Sequence, residues 1–531
     1  MSWNGVRVIP IVLGREGLWG VRNAERVPLG AAKALRNATL EDGTYRSGGG
    51  ASKVGTAIGT QGNAAIDFWP DAATQRTIAA VGDGSIQKDD GEGASWASLV
   101  SGLTTAGAVP FFALGGAEEA GRDRKVFYCD RVNAVRVLSG DGASMTVISK
   151  PPADWSGTNQ PGFLFGQGGI FGGGYMWGGG NANAPHTAYR SALNNHEDYL
   201  SFQYQLPIVP GVGERLVAGL DYKGVALFWK FPEGAFAVDT RDPDPQRWTV
   251  IKFSSAGCAG PWNVLLLEDD VLWVAPDGSF HLASATQALG SVRASDISAK
   301  KLGSFFRENI NLAQLATAQW AYYPHKGVAS LACHAQGGTA KNRRIDFNVQ
   351  GFSPREATVD QIGERWLYGD RDRNEALFMR KETGVLIPAM LDASGQLWEL
   401  DRTAHTADGA AYTFEWEIWD TDFAALVPAW RGRLLNGRFL QMLYDPRTAG
   451  THTITVLRDG VAKQTMQFAL SGGASALPQI LTFILAGNVP KLTPAKTLKG
   501  QAYRWGFRGQ STGIGDDASL MKLLVGLEAA V

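Results

Sequence analysis

Along most of this 531-residue chain, apolar and polar positions alternate in short runs, each about the length of one β-strand. Glycine and aspartate punctuate the runs. Seven Asp-Gly dipeptides, at Asp42, Asp83, Asp90, Asp141, Asp277, Asp408 and Asp459, fall between them. Asp-Gly supplies the positive φ angles of tight hairpin turns, so its recurrence predicts antiparallel strands and an all-β chain. IAAVGDGSIQKDDGEGASWASL (78–99) reads strand, turn, strand, turn, strand, and KVFYCDRVNAVRVLSGDGASMTVIS (125–149) repeats that outline. Similar units begin near 163, 215, 263, 315 and 364, at intervals of roughly 40 to 55 residues, the period of four-stranded propeller blades. The pattern predicts a β-propeller of six or seven blades over residues 61–405.

Three stretches depart from this rhythm. SDISAKKLGSFFRENINLAQLATAQ (295–319) lacks alternation, and Ser295 or Asp296 is placed to cap a short helix between blades. After residue 405, YTFEWEIW (412–419), THTITVLRDGVAKQTMQFAL (451–470), YRWGF (503–507) and LMKLLVGL (520–527) predict a C-terminal β-sandwich over 406–531. Residues 1–60 carry few core-forming runs and read as an extended N-terminal arm in need of a partner surface.

GFLFGQGGIFGGGYMWGGG (162–180) invites a phosphate-loop reading, which its spacing defeats. A dinucleotide fingerprint begun at Gly166 meets Phe171, one begun at Gly172 meets Trp177, and no Gly-Lys-Ser/Thr follows. Phe163 and Phe165 alternate, as do Tyr175 and Trp177, so the glycines serve strand packing and turns.

Composition agrees with a large β-protein: Gly 66 and Trp 17 are both high. Lys+Arg 50 against Asp+Glu 51 gives a net charge of −1, which argues against a coat for nucleic acid. Cys129, Cys258 and Cys333 are too scattered for a disulfide framework or a CxxC metal site, and a reducing site of synthesis, a cytoplasm, is expected. No run approaches the roughly 20 apolar residues of a membrane helix, and the N-terminal VRVIPIVLG, broken by Pro10, does not read as a secretory signal.

Candidate chemistry is sparse. Lys88 to Trp96 is close to the Asp-box of sialidase-like propellers, in which an aspartate braces a hairpin over a tryptophan, a structural device even in enzymes. Asp370, Asp372 and Asn374 alternate like a calcium loop, but Glu375 stands where that loop needs glycine and Lys381 where it needs glutamate. His186, Ser191 and Asp198 lie close in sequence without any nucleophile-elbow signature. No catalytic, cofactor-binding or metal-binding residues are assigned, and a non-enzymatic protein is expected.

Several longer phrases resemble the β-propeller tail proteins of tailed bacteriophages, the nozzle or stopper family of head-to-tail connectors. They are NAERVPLGAAKALRNATLEDGTYRSGGG, GGGYMWGGGNANAPHTAYRSALNNHEDY, GAFAVDTRDPDPQRWTVIKFSSAGCAGPWNVLLLEDDVLWVAPDGSFHLAS, AQWAYYPHKGVASLACHAQGG and RRIDFNV. In the third, Trp248, the Gly257-Cys258 turn, Pro261 and the Asp277-Gly278 hairpin stand in the family's places. Where the family carries paired basic residues before its first blade, this chain has Arg46 followed by Ser47. The resemblance spans most of residues 20–405. It implies a structural virion component: a ring of six copies in the tail, contacting portal, adaptor and other tail proteins. Genomic DNA would pass through its lumen without sequence-specific binding and without membrane insertion. An acid-lined lumen is expected to let that DNA slide. The alternative from a different class is a carbohydrate-recognising propeller, either a host-receptor-binding tail protein or a glycosidase. An exported bacterial adhesin is a third, disfavoured by the N-terminus.

Overall fold

The computed structural model describes residues 2–530 apart from 4–5, 14–17, 20–26, 42–43, 48–49, 92–94, 118–122, 169–173, 201–204, 212, 241, 243, 269, 286–291, 297–301, 350–365, 371–374, 383–384, 403–407, 411–412, 432, 447–449, 471–490 and 512–517. Its described residues form an all-β protein in which antiparallel sheets dominate.

Seven four-stranded sheets follow one another along the chain. Their first strands are Gly62–Phe68, Phe111–Ala117, Phe163–Gln167, Arg215–Tyr222, Val264–Leu266, Gln319–Tyr323 and Ala376–Glu382. Each first strand lies against the next in this order, and the seventh returns to the first, so the strands close a ring. The cores say the same. Phe112 and Val126 of the second sheet pack with Ile78 of the first, Trp229 of the fourth with Trp273 of the fifth, and Phe378 of the seventh with Ala65 and Ala79 of the first. This is a propeller-like β fold.

Facing sheets explain a departure from simple alternation. In Phe163–Gln167, Phe163, Leu164 and Phe165 are all buried. Phe163 and Phe165 turn to Phe228 of the fourth sheet, while Leu164 joins the core shared with the second. A strand covered on both faces has no solvent side for polar residues.

Turn chemistry follows the sequence in part: at Asp141-Gly142 neither residue has positive φ, which falls instead at Gly140. Asp408-Gly409 and Asp459-Gly460 carry positive φ at both residues, as a type I′ turn requires. At Asp83 and Asp277 only the following glycine does. There the aspartate acts through its side chain, whose Oδ1 accepts from Ser85 N at 2.8 Å and Ser279 N at 3.0 Å. Asp392 repeats the device with Ser394 N at 2.8 Å. Asp42-Gly43 lies outside the described residues.

The N-terminal residues do not form a free arm. Val6–Val12 pairs antiparallel with Ala518–Ala529, from Arg7 opposite Leu527 to Val12 opposite Lys522. Ala32–Arg36 pairs with Phe414–Ile418, and Gly50–Val54 becomes the outermost strand of the seventh sheet beside Leu397–Arg402. The partner surface that residues 1–60 need is supplied by their own chain. Pro10 is accommodated because Ser2–Trp3 covers only Val6 and Arg7, leaving Val6–Val12 with one described neighbour at the proline.

Val6–Val12 and Ala32–Arg36, with their partners, belong to two further sheets, of nine and five strands among the described residues. The first centres on Leu435–Pro446 and Ala518–Ala529; the second runs Ala32–Arg36, Phe414–Ile418, Trp505–Ser511, Gly450–Arg458, Val461–Leu470. Ile11, Leu440 and Leu523 of the one share a core with Trp416, Ile454 and Phe507 of the other. We call this pair of sheets the terminal body.

The expected inter-blade helix is present but starts later. Ser295 and Asp296 end the strand Val292–Asp296, and the helix is Gly303–Asn309, followed by a 3-10 turn at Leu312–Thr317. Leu302 and Phe306 are fully buried and anchor it. Strand pairing of Ser295 opposite Leu282 outcompetes the capping role.

Candidate functional site

Polar residues gather where the first strands of the ring begin. Gln61 precedes Gly62–Phe68, Pro110 precedes Phe111–Ala117, and Glu375 precedes Ala376–Glu382. Two 3-10 turns, Pro261–Asn263 and Leu312–Thr317, lead into the first strands of the fifth and sixth sheets. His334 and Lys341 lie in the connection between Val328–Cys333 and Arg343–Asn348. Its turn is closed by Gly338 N donating to Ala335 O at 2.8 Å, with Gly337 at φ +72°. Together these segments enclose a cavity of about 210 Å³.

Its wall is buried and polar. Lys341, Glu375, His334 and Gln319 are 4%, 4%, 5% and 2% exposed. Glu375 Oε2 accepts from Gln61 Nε2 at 3.0 Å and Lys341 N at 3.3 Å. Lys341 Nζ donates to Asn63 O at 3.3 Å and Thr317 O at 3.4 Å. Gln319 ties two first strands together, donating to Asn63 O at 2.7 Å and accepting from Leu377 N at 2.9 Å. Trp262 donates Nε1–H to Pro110 O at 2.7 Å and lays its ring against Phe111 with centroids 4.4 Å apart.

Burial sets the charge states. It lowers the Lys341 ammonium to about 8, with Glu375 pulling the other way, so the lysine stays mostly protonated at neutral pH. Burial, and then Lys341, lower His334 to about 4, which keeps that ring neutral. Its Nδ1 is buried without a hydrogen-bond partner. A protonated lysine and the Glu375 side chain line a cavity that also offers an unpartnered imidazole nitrogen and an aromatic residue, Trp262. Such a set can hold a small polar molecule by hydrogen bonds.

The sequence candidates fare differently. Ser191 Oγ accepts from Met176 N and donates to Ala192 O, while Asp198 pairs with Lys150 at 2.8 Å, so Ser191 and Asp198 are committed to separate partners; His186 Nδ1 is buried without one. Asp89 of the Asp-box stretch is buried and braces its hairpin by accepting from Thr77 N at 2.6 Å and Gly91 N at 3.2 Å, a structural task. Residues 92–94 of that stretch, and 371–374 of the calcium-like loop, lie outside the described residues. Among described residues, no group of three or more His, Cys, Asp or Glu could hold a metal, and no helix is long and apolar enough to cross a membrane.

No family model matches the chain, and no curated protein does. Among solved structures it is similar to YCF48 from Cyanidioschyzon merolae, at 10% identity and a TM-score of 0.40, covering 66% of this chain and 98% of that one. A structure of U3-55K is similar at 10% identity and a TM-score of 0.39, and the computationally designed Ika8 protein at 10% and 0.37, with the same coverages. Likenesses this shallow carry no argument about function.

Sequence reasoning missed the cavity entirely. Its residues span 61 to 375 and share no motif. Glu375 was visible only as the wrong residue for a calcium loop. The one usable signal is positional: each of Gln61, Pro110, Thr317 and Glu375 stands within two residues of the start of a first strand.

Proposed function

We propose that this chain is a non-enzymatic structural protein of a tailed-bacteriophage virion, built as a seven-bladed propeller joined to a β-sandwich. Six copies would form a nozzle or stopper ring of the head-to-tail or tail assembly, which retains the DNA genome and then conducts it. The family resemblance of residues 20–405 motivates this reading. The observation that supports it physically is double closure. The chain's own strand Gly50–Val54 completes the seventh sheet, and Val6–Val12 is zipped to Ala518–Ala529, so both sheet bodies are fastened by early strands onto late ones. Closure that leaves few free edges makes a stiff scaffold, which suits a part under load from packed DNA.

Because the strands of residues 6–54 are used within the chain, contacts between copies must come from other surfaces, blade rims or the outer strands of the terminal body. Electron microscopy and sedimentation of the purified chain test the reading. A closed ring with an axial hole is expected. A monomer at all concentrations, with glycan binding on an array, would replace it with the carbohydrate-recognising alternative.

A further inference from the structure

The cavity at the start of the first strands is more than the structural reading uses, and its chemistry points to a ligand. We propose that it is a binding site for one neutral, hydroxyl-rich ring: a hexose, either free or at the end of a glycan. This does not rest on the ring assembly above.

Four observations carry it. First, the wall holds four polar side chains, Lys341, Glu375, His334 and Gln319, all more than nine-tenths buried. Burying such groups is costly unless they are hydrogen-bonded; Glu375 and Gln319 are satisfied within the protein, whereas Lys341 has only long contacts and His334 has a ring nitrogen with none. Second, His334 Nδ1 is buried without a partner, and a neutral imidazole nitrogen can accept from or donate to a hydroxyl according to its tautomer. Third, the Lys341 contacts at 3.3 and 3.4 Å are long for an ammonium, whose charge-assisted bonds run near 2.8 Å, so the lysine has much to gain from a better acceptor. Fourth, the same wall offers Lys341 as a donor and Glu375 as an acceptor, so a hydroxyl can accept from the one and donate to the other.

Size and shape narrow the class. About 210 Å³ is room for roughly seven waters at about 30 Å³ each, below the roughly 300 Å³ at which drug-sized pockets begin. One sugar ring fills such a space. Trp262 supplies the flat apolar wall against which the C–H face of a pyranose packs while its hydroxyls meet the polar groups.

The test is saturation-transfer NMR on the full chain, with glucose, galactose, mannose and N-acetylglucosamine as probes and glycine and acetate as zwitterionic and anionic controls. At least one hexose should receive magnetisation, and the controls none. Gln314→Trp, which fills the cavity from its rim without touching the buried pairs, and His334→Phe should each weaken binding about tenfold or more with unchanged thermal midpoints. Tyr503→Ala, on the exposed surface of the terminal body, should bind as the parent does. No transfer to any hexose, transfer undiminished in Gln314→Trp, or transfer to glycine or acetate alone would each overturn the proposal. The first of these means that the cavity holds only water.

Discussion

The ring of sheets and the terminal body bury the same kinds of residue but recruit them from different distances along the chain. In the ring, every strand except Gly50–Val54 pairs with its immediate sequence neighbours: Phe163 lies opposite Gly179, and Ala226 opposite Val238. In the terminal body, Val8 lies opposite Gly526 and Leu35 opposite Trp416. Local pairing closes small loops at little entropic cost, whereas pairing across the whole chain must wait until everything between is in place. The ring should therefore tolerate loss of the terminal body better than the reverse.

The harshest way to break this comparison is Ile11→Asp. Ile11 is fully buried in a core that the terminal body shares with the fifth and sixth sheets of the ring, and an unpaired charge there should cost more than about 4 kcal/mol. Calorimetry with limited proteolysis should show the terminal body opened, the fifth and sixth sheets loosened with it, and a separate transition retained for the rest of the ring. A single cooperative collapse of both would show that the two regions are one folding unit.

Acid sharpens the contrast next. His452 is fully buried between Trp416, which donates to its Nε2 at 3.0 Å, and Ser511 Oγ, 2.7 Å from its Nδ1. Burial lowers it from 6.5 to about 3. The native state thus refuses a proton that the unfolded chain accepts below 6.5, so stability is complete above that pH and is lost as pH falls toward 3. At about 1.4 kcal/mol per unit, denaturant titrations at pH 5 should find the terminal body about 2 kcal/mol weaker than at pH 7. His452→Gln should flatten that slope. His196 in the ring, lowered to about 4 by burial, predicts a parallel loss there over a narrower window.

Gly219→Val probes the ring's packing. A Cβ at Gly219 runs into the ring of Phe165 on the neighbouring sheet, so the substitution should cost about 1–3 kcal/mol, read as a drop in the ring's transition alone. The smallest effect is expected for Lys53→Ala. It removes a half-exposed ion pair with Asp408 at 3.1 Å and should change stability by less than about 1 kcal/mol.

What the chain's pattern reveals follows the same division. Hairpins are legible because period-2 alternation and turn residues are local, and Asp459-Gly460 sits at the tip of its hairpin as expected. Gly174 in the glycine-rich stretch also has the packing role read from it: its φ is +86°, and a Cβ would overlap Gln167 O. VRVIPIV shows the alternation of a strand, yet nothing in those seven residues says that their partner is 518–529. Partnership across that separation depends on shape and register, which neither end of the chain encodes alone. The cavity was illegible for a related reason. Lys341 and Glu375 acquire their meaning only when the sixth and seventh sheets bring them together, and a lone lysine or glutamate in sequence reads as surface.

The pairing of Val12 with Lys522 also sets a schedule for biosynthesis. A ribosome adding about 5–20 residues per second reaches the second partner roughly half a minute to two minutes after the first. Throughout that interval the apolar segment beginning at Val6 has emerged without its mate, while the sheets of the ring can assemble one after another behind it. A nascent-chain chaperone that shields short apolar β-segments would have its longest engagement with this protein there.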